Sequence, residues 1–208
     1  MGVWPEEDYA EILAWALGDS EDEEAWRTFL SHLEEAGVRG ETGLQLLIHD
    51  GGPGLCAALQ NVYFGALHQR CLFHKLRNIA KAIQLPEGLS RQERSRRRRA
   101  IFKQFRSIWE AKRYDTALRR YLKVVRTWRD SQPKAVATLR RDFRQTVAYF
   151  YVLDRFPDWQ TRHLRTTSRL ERFNRTLRRR FRDAAAFHSD DGITAVISHE
   201  IALFNHPS

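Results

Sequence analysis

Sulfur is scarce in this 208-residue chain: two cysteines, Cys56 and Cys71, and one methionine. Two thiols cannot build a disulfide scaffold, and their scarcity fits a reducing compartment. Long apolar runs are missing too. None approaches the roughly 18 residues needed to cross a bilayer, and the acidic first residues lack the positive-then-apolar layout of a secretory leader. The expectation is a soluble, cytoplasmic protein with no membrane contact. There is no G-x-S-x-G elbow, no P-loop and no dinucleotide glycine pattern, which leaves hydrolase-triad, nucleoside-triphosphatase and Rossmann readings without support. Neither an internal repeat nor a low-complexity linker is present.

Apolar residues make up 42% of the chain, with 12 Phe, 6 Trp and 6 Tyr, enough for a sizeable core and against intrinsic disorder. The formal charge of +9 conceals a division. Residues 1–50 hold 13 acidic side chains against only Arg27 and Arg39, whereas residues 51–208 hold 33 basic and 13 acidic ones. Arginine dominates the basic part, and its planar fork pairs with phosphate oxygens, so a polyanion, nucleic acid first, is the partner that the charge favours.

The apolar run EILAWALG, residues 11–18, reads as a buried strand. Ser20 and Glu23 then have capping-box spacing, Trp26, Phe29, Leu30 and Leu33 recur at helical intervals, and Gly37 supplies a stop. LQLLIHD, residues 44–50, reads as a second buried strand with Asp50 at its end, before Gly51-Gly52-Pro53-Gly54. Strand, helix, strand predicts a parallel crossover. A short helix over 55–61 and a strand near 64–69 lead to a helix over 71–83, with Cys71, His74 and Asn78 along one strip. Residues 90–154 show helical spacing only. They include RQERSRRRR at 91–99, six arginines in nine residues, too charged on every side to pack into a core. Another capping-box pair, Ser168 and Glu171, heads a helix whose buried side is Leu170, Phe173, Leu177 and Phe181. Glu171, Asn174, Arg175 and Arg178 share the adjoining face, with Arg179 beside them, groups suited to a phosphate backbone.

A carboxylate at the end of a buried strand, beside a glycine-rich turn, is placed to hold a hard cation in an α/β protein. Asp50 is that residue, although Asp before Gly is also an ordinary turn. Glu171 is the second carboxylate, standing among arginines; locally it is equally the third residue of a capping box. Cys71 and His74 have half the spacing of a zinc site, but no second pair follows, and a closed tetrahedral site needs four ligands. They read either as a pair flanking an active site or as a core pair.

Three blocks in order, LLIHDGGPGLCAAL, HQRCLFHKLRNIAKAI and RFPDWQTRHLRTTSRLERFNRTLRRRF, resemble the Mutator-type family of DDE transposases from bacterial insertion sequences. That family shows an Asp-Gly block ending in Gly-Leu, a Gln-x-Cys-x-x-His-x-x-x-Asn block and a Thr-Thr-x-x-x-Glu-x-x-Asn-Arg block, each matched here. The resemblance covers nearly all of the chain.

The resemblance implies an α/β protein: an incomplete RNase H-like core interrupted by a mostly α-helical insertion. Residues 1–85 would form the first part of the core, 86–157 the arginine-rich insertion, and 158–208 the helices that complete the core. Asp50 matches the family's second catalytic aspartate and Glu171 its final glutamate, both as ligands of two Mg²⁺ ions; Cys71, His74 and Asn174 would support the site. Arg96, Arg97, Arg98, Arg99, Arg175, Arg178 and Arg179 would bind DNA, both transposon ends and target. The family's first catalytic aspartate lies upstream of anything here, which implies a truncated transposase, a homo-oligomer with the full-length protein. Asp8 falls near a turn aspartate of the family rather than the catalytic one, and His188 stands where proline often follows the phenylalanine. The alternative is a non-catalytic DNA-binding or dimerising remnant.

Overall fold

Helix outweighs strand along the chain. The computed structural model describes residues 1–4, 7–183 and 190–206; His188 lies outside them. In chain order the elements are β1 (Gly2–Trp4), β2 (Tyr9–Glu11), α1 (Glu23–Glu35), β3 (Leu47–His49), α2 (Pro53–Val62), β4 (His68–Arg70), α3 (Leu72–Ala82), α4 (Arg91–Arg106), α5 (Tyr114–Trp128), α6 (Pro133–Arg140), α7 (Tyr149–Arg155), α8 (Thr161–Leu164), α9 (Ser168–Asp183) and α10 (Asp190–Asn205). Among the described residues no helix is long and apolar enough to cross a membrane. The chain divides into two compact units: Met1–Leu44, Gly51–Ala66 and Asp158–Ser208 form the first, Gln45–Asp50 and Leu67–Pro157 the second.

In the first unit, β1 and β2 form an antiparallel hairpin, Gly2 opposite Glu11 and Trp4 opposite Tyr9. The strand expected over residues 11–18 stops at Glu11. Beyond it, both backbone groups of Ile12 are bonded to the Asn205 side chain: Ile12 N–H donates to Oδ1 at 2.8 Å, and Nδ2 donates to Ile12 C=O at 3.1 Å. An amide thus stands where a neighbouring strand would, and Leu13 and Leu17 are exposed. The expected helix forms as α1, but its cap is Asp22 and not Ser20. Ala25 N–H donates to Asp22 Oδ1 at 2.9 Å, while the Ser20 hydroxyl donates to Asp22 Oδ2 at 2.6 Å. A carboxylate suits the positive end of the helix better than a hydroxyl two residues too early. At the other end Gly37 has φ +96°, and the bonds from Gly37 N–H to Glu34 C=O and Val38 N–H to Leu33 C=O make a Schellman motif. Helix α2 packs on α1, burying Leu30, Ala58 and Leu59. Phe173 of α9 meets Phe204 of α10 edge to face, ring centres 5.4 Å apart.

In the second unit, β3 and β4 are parallel, with Leu47, Ile48 and His49 opposite His68, Gln69 and Arg70. The parallel pairing is therefore between β3 and β4, not between residues 11–18 and 44–50 as expected. Both strands are shorter than their sequences suggested. Leu44 N–H is held by Arg39 C=O at 3.0 Å and Ala66 N–H by Tyr63 C=O at 3.0 Å, turn bonds that keep those residues out of a ladder. The run from α3 to α7 is helical, as its periodicity predicted. Phe105, Ile108, Trp109, Leu139 and Tyr149 are buried there; Trp109 Nε1 donates to Thr146 Oγ1 at 3.2 Å, and Tyr121 stacks on Phe143 at 3.9 Å. The arginine run opens α4 behind a reciprocal Ser90–Glu93 cap and is exposed throughout. This unit carries 24 Lys and Arg against eight Asp and Glu, whereas the first carries 11 against 18.

Candidate active site

Parallel strands direct their carboxyl ends to one edge, and the register fixes what stands there. His49 and Arg70 are the last paired residues, and Cys71 N–H donates to His49 C=O at 2.7 Å. Asp50 and Cys71 therefore follow side by side on strands about 4.8 Å apart. Gly51, at φ +84°, turns the chain away in a conformation that a side chain resists, and Pro53 opens α2. Asp50 is exposed, Cys71 is buried at the cap position of α3, and His74 is half-buried in its first turn. The structure thus brings Asp50, Cys71 and His74 to one sheet edge.

The flank of this edge is cationic. Arg70 lies 3.6 Å from Asp142, a residue at φ +56°. Lys75, one turn along α3, is buried and donates to Arg141 C=O. Burial lowers the Lys75 pKa to about 8, opposed by Asp142 and reinforced by Arg70 and Arg141. His49 is buried as well, its ring 5.9 Å from that of His68; burial, then Arg70 and His68, push its pKa down to about 4, so it is neutral at pH 7. Sequence reasoning missed this group because its members come from two strands, a helix and the turn after α6.

In the first unit Glu171 sits in the first turn of α9, and its partner is Thr167. The Thr167 hydroxyl donates to Glu171 Oε1 at 3.0 Å, and Glu171 N–H donates to Thr167 C=O at 2.9 Å. The expected Ser168 cap is replaced, since Ser168 is already helical and its hydroxyl receives that of Thr166 at 3.0 Å. Asn174 is half-buried one turn on, and Arg175, Arg178 and Arg179 are exposed. Arg180 differs: its Nε donates to the buried Glu200 Oε1 of α10 at 2.8 Å. Asp8 lies in the hairpin turn at φ +51°. Its carboxylate gathers Arg162 Nη2 at 2.7 Å, His163 Nε2 at 2.9 Å, and Arg169. Burial raises the Asp8 pKa, but Arg162 and Arg169 outweigh it and the net shift is downward. The one hint of this clasp in the sequence was that Asp8 falls near a turn aspartate of the resembling family.

Carboxylate oxygens suit a hard cation such as Mg²⁺, and Asp50 and Glu171 offer them; a buried thiol is a soft donor and suits it poorly. Arg96, Arg97, Arg98 and Arg99 lie on α4 of the second unit, on one exposed stretch. Arg98 also reaches Ala80 C=O at 3.4 Å.

Comparison with known proteins matches residues 1–202 to the family described as Transposase, Mutator family. The chain is 33% identical over 191 residues to the transposase for insertion sequence element IS406 of Burkholderia multivorans, covering 92% of the chain and 45% of that protein. It is 32% identical over 170 residues to the transposase for insertion sequence element IST2 of Acidithiobacillus ferrooxidans, covering 82% and 52%. The transposase for insertion sequence element ISRM5 of Rhizobium meliloti is 27% identical over 170 residues. The chain spans about half the length of these first two relatives. With a family match running from its first residue almost to its last, the chain belongs to the Mutator family of transposases.

Proposed function

We propose that this chain is a portion of a Mg²⁺-dependent transposase that cuts DNA and joins it to a target, acting in the cytoplasm as an oligomer with full-length copies of the protein. The observation that supports it best is that Asp50, Cys71 and His74 stand at the edge where the two parallel strands of an otherwise helical unit end. Residues 1–85 and 158–208 belong, in this reading, to an RNase H-like core, and 86–157 to its insertion.

Asp50 and Glu171 hold the metal, each through a carboxylate. Bound Mg²⁺ supplies Lewis-acid activation of the attacking water or 3′-hydroxyl and stabilises the leaving oxygen. Thr167 orients Glu171 by its hydrogen bond, and Cys71, His74 and Asn174 shape the surroundings. The exposed arginines of α4 and α9 take backbone phosphates, which positions DNA without reading its sequence.

A strand-transfer assay with Mg²⁺ and DNA bearing insertion-sequence ends tests this reading. Activity that Asp50→Asn and Glu171→Gln both abolish, with DNA affinity retained, would support the enzyme. The concentration of basic charge in the second unit favours a second reading, a non-catalytic DNA-binding or dimerising remnant. Salt-sensitive DNA binding without any strand transfer by the wild-type chain would support that remnant and overturn the enzyme.

A further inference from the structure

Helix α7 buries Tyr149, Phe150 and Val152 almost completely, yet Tyr151, between them, is 55% exposed. Its ring is not loose. Tyr114, the first residue of α5, lies beside it with ring centres 5.9 Å apart and planes tilted by 39°. Tyr114 is in turn held edge to face by the buried Phe150 at 6.3 Å, which itself stacks on Tyr149 at 4.3 Å. A four-ring array thus runs from the core of the second unit to its surface and ends in one exposed aromatic face.

The charge around that face is mainly cationic. Lys112 and Arg113 are exposed and immediately precede Tyr114. Arg155, one helical turn from Tyr151, is steadied by Gln45 Oε1 at 3.4 Å and by the ring of Phe156, 5.3 Å below its guanidinium. Asp115 and Asp154 also flank the rings, but within a unit of 24 basic and eight acidic residues. Two copies of such a surface would repel each other when brought face to face. A flat, wet aromatic framed by cations suits a nucleobase with its phosphates, since every base offers a π-face and stacking needs no sequence.

We propose that Tyr151, backed by Tyr114, is a stacking platform for an unpaired nucleobase, with Lys112, Arg113 and Arg155 taking the flanking phosphates. The inference rests on the DNA-binding reading above and adds a substrate form to it: single-stranded or unstacked DNA in place of intact duplex. Tyr151 is exposed, so its replacement leaves the core intact.

The test uses an oligonucleotide carrying 2-aminopurine, single-stranded or fully paired, with affinity read by anisotropy and stacking by the base's fluorescence. Wild type is expected to quench the single strand. Tyr151→Ala should bind that strand at least roughly fivefold more weakly and lose the quench, while duplex affinity stays the same; Tyr151→Trp should restore both. Equal quenching and affinity in wild type and Tyr151→Ala, with duplex binding intact, would overturn the platform alone. A smaller sedimenting species for Tyr151→Ala than for wild type would also overturn it, by making the face a protein interface. Absence of binding to either DNA form by wild type would bring down the DNA-binding reading itself.

Discussion

Gln69 Oε1 accepts the backbone N–H of Tyr149 at 3.0 Å, so a fully buried side chain of β4 caps the first residue of α7. Its Nε2 donates to Arg70 C=O at 2.7 Å, and both ends of the amide are used. Gln69→Leu would bury the same volume but leave the Tyr149 N–H without that acceptor, at a cost of about 1–3 kcal/mol. The midpoint of urea unfolding should fall accordingly, and an unchanged midpoint would mean that the bond contributes nothing.

Local chemistry was legible and long-range chemistry was not. Asp50 could be read as a strand-end carboxylate because LQLLI and the glycine turn flank it directly, and α4 and α9 announced themselves by helical spacing. Residues 11–18 misled for the opposite reason. Their apolar run satisfies every local criterion for a strand, but the backbone partner of Ile12 is Asn205, 193 positions away, and no window of sequence contains both. The serines misled at α1 and α9: Asp22 takes the cap position expected of Ser20, and at α9 it is Thr167, one residue before Ser168, that bonds the Glu171 carboxylate. Gln69 was legible only as the first residue of the Gln-x-Cys-x-x-His block; its bond to Tyr149 exists only once α7 lies against β4.

Gly54 is where α2 meets the start of α1. A Cβ there would stand 2.4 Å from Glu21 C=O and 2.7 Å from the Asp22 carbonyl carbon, both backbone atoms that cannot swing aside. Gly54→Ala should therefore push the helices apart and lower the thermal midpoint. At Gly65 a Cβ meets nothing within 4 Å, and Gly65→Ala should stay within about 0.5 kcal/mol of wild type. Equal midpoints for the two variants would contradict this close approach.

Burial first, then Arg169 and Arg162, lower the pKa of His163; Asp8 opposes them, and the net shift is downward. Asp8→Asn keeps a residue tolerant of positive φ and removes only the charge, so His163 should titrate at still lower pH. An NMR titration of its ring protons reads this directly. A midpoint that moved upward, or not at all, would dissolve the proposed pairing.

Lys75 gives a stability profile with a definite sign. Its folded pKa, about 8, lies below the ordinary value of 10.5, so between those limits the unfolded chain binds more protons than the folded one. The penalty for burying the charge is present below pH 8 and is relieved as pH rises toward 10.5. Compared with Lys75→Met, wild type should gain up to about 1.4 kcal/mol per pH unit in that window. Urea melts of both proteins across it should show the gap closing or reversing toward alkaline pH; parallel curves would show that Lys75 titrates normally.

The arginines of α4 divide by what holds them. Arg94 Nη1 donates to Pro86 C=O and Arg98 Nη1 to Ala80 C=O, each at 3.4 Å, which tethers the first turns of α4 to the segment around the end of α3. Arg96, Arg97 and Arg99 lie exposed on the same stretch and, in the DNA-binding reading proposed above, take phosphate. Each phosphate contact adds about 0.9 to the slope of log affinity against log salt. Replacing Arg96, Arg97 and Arg99 by alanine should thus flatten that slope by up to about 2.7, equally for DNA of any sequence, with little change in thermal midpoint. Replacing Arg94 and Arg98 should lower the midpoint and change the slope less. If instead the two sets altered the slope to the same degree, the carbonyl tethers would not govern which arginines face DNA, and the whole run would act as one diffuse cationic strip.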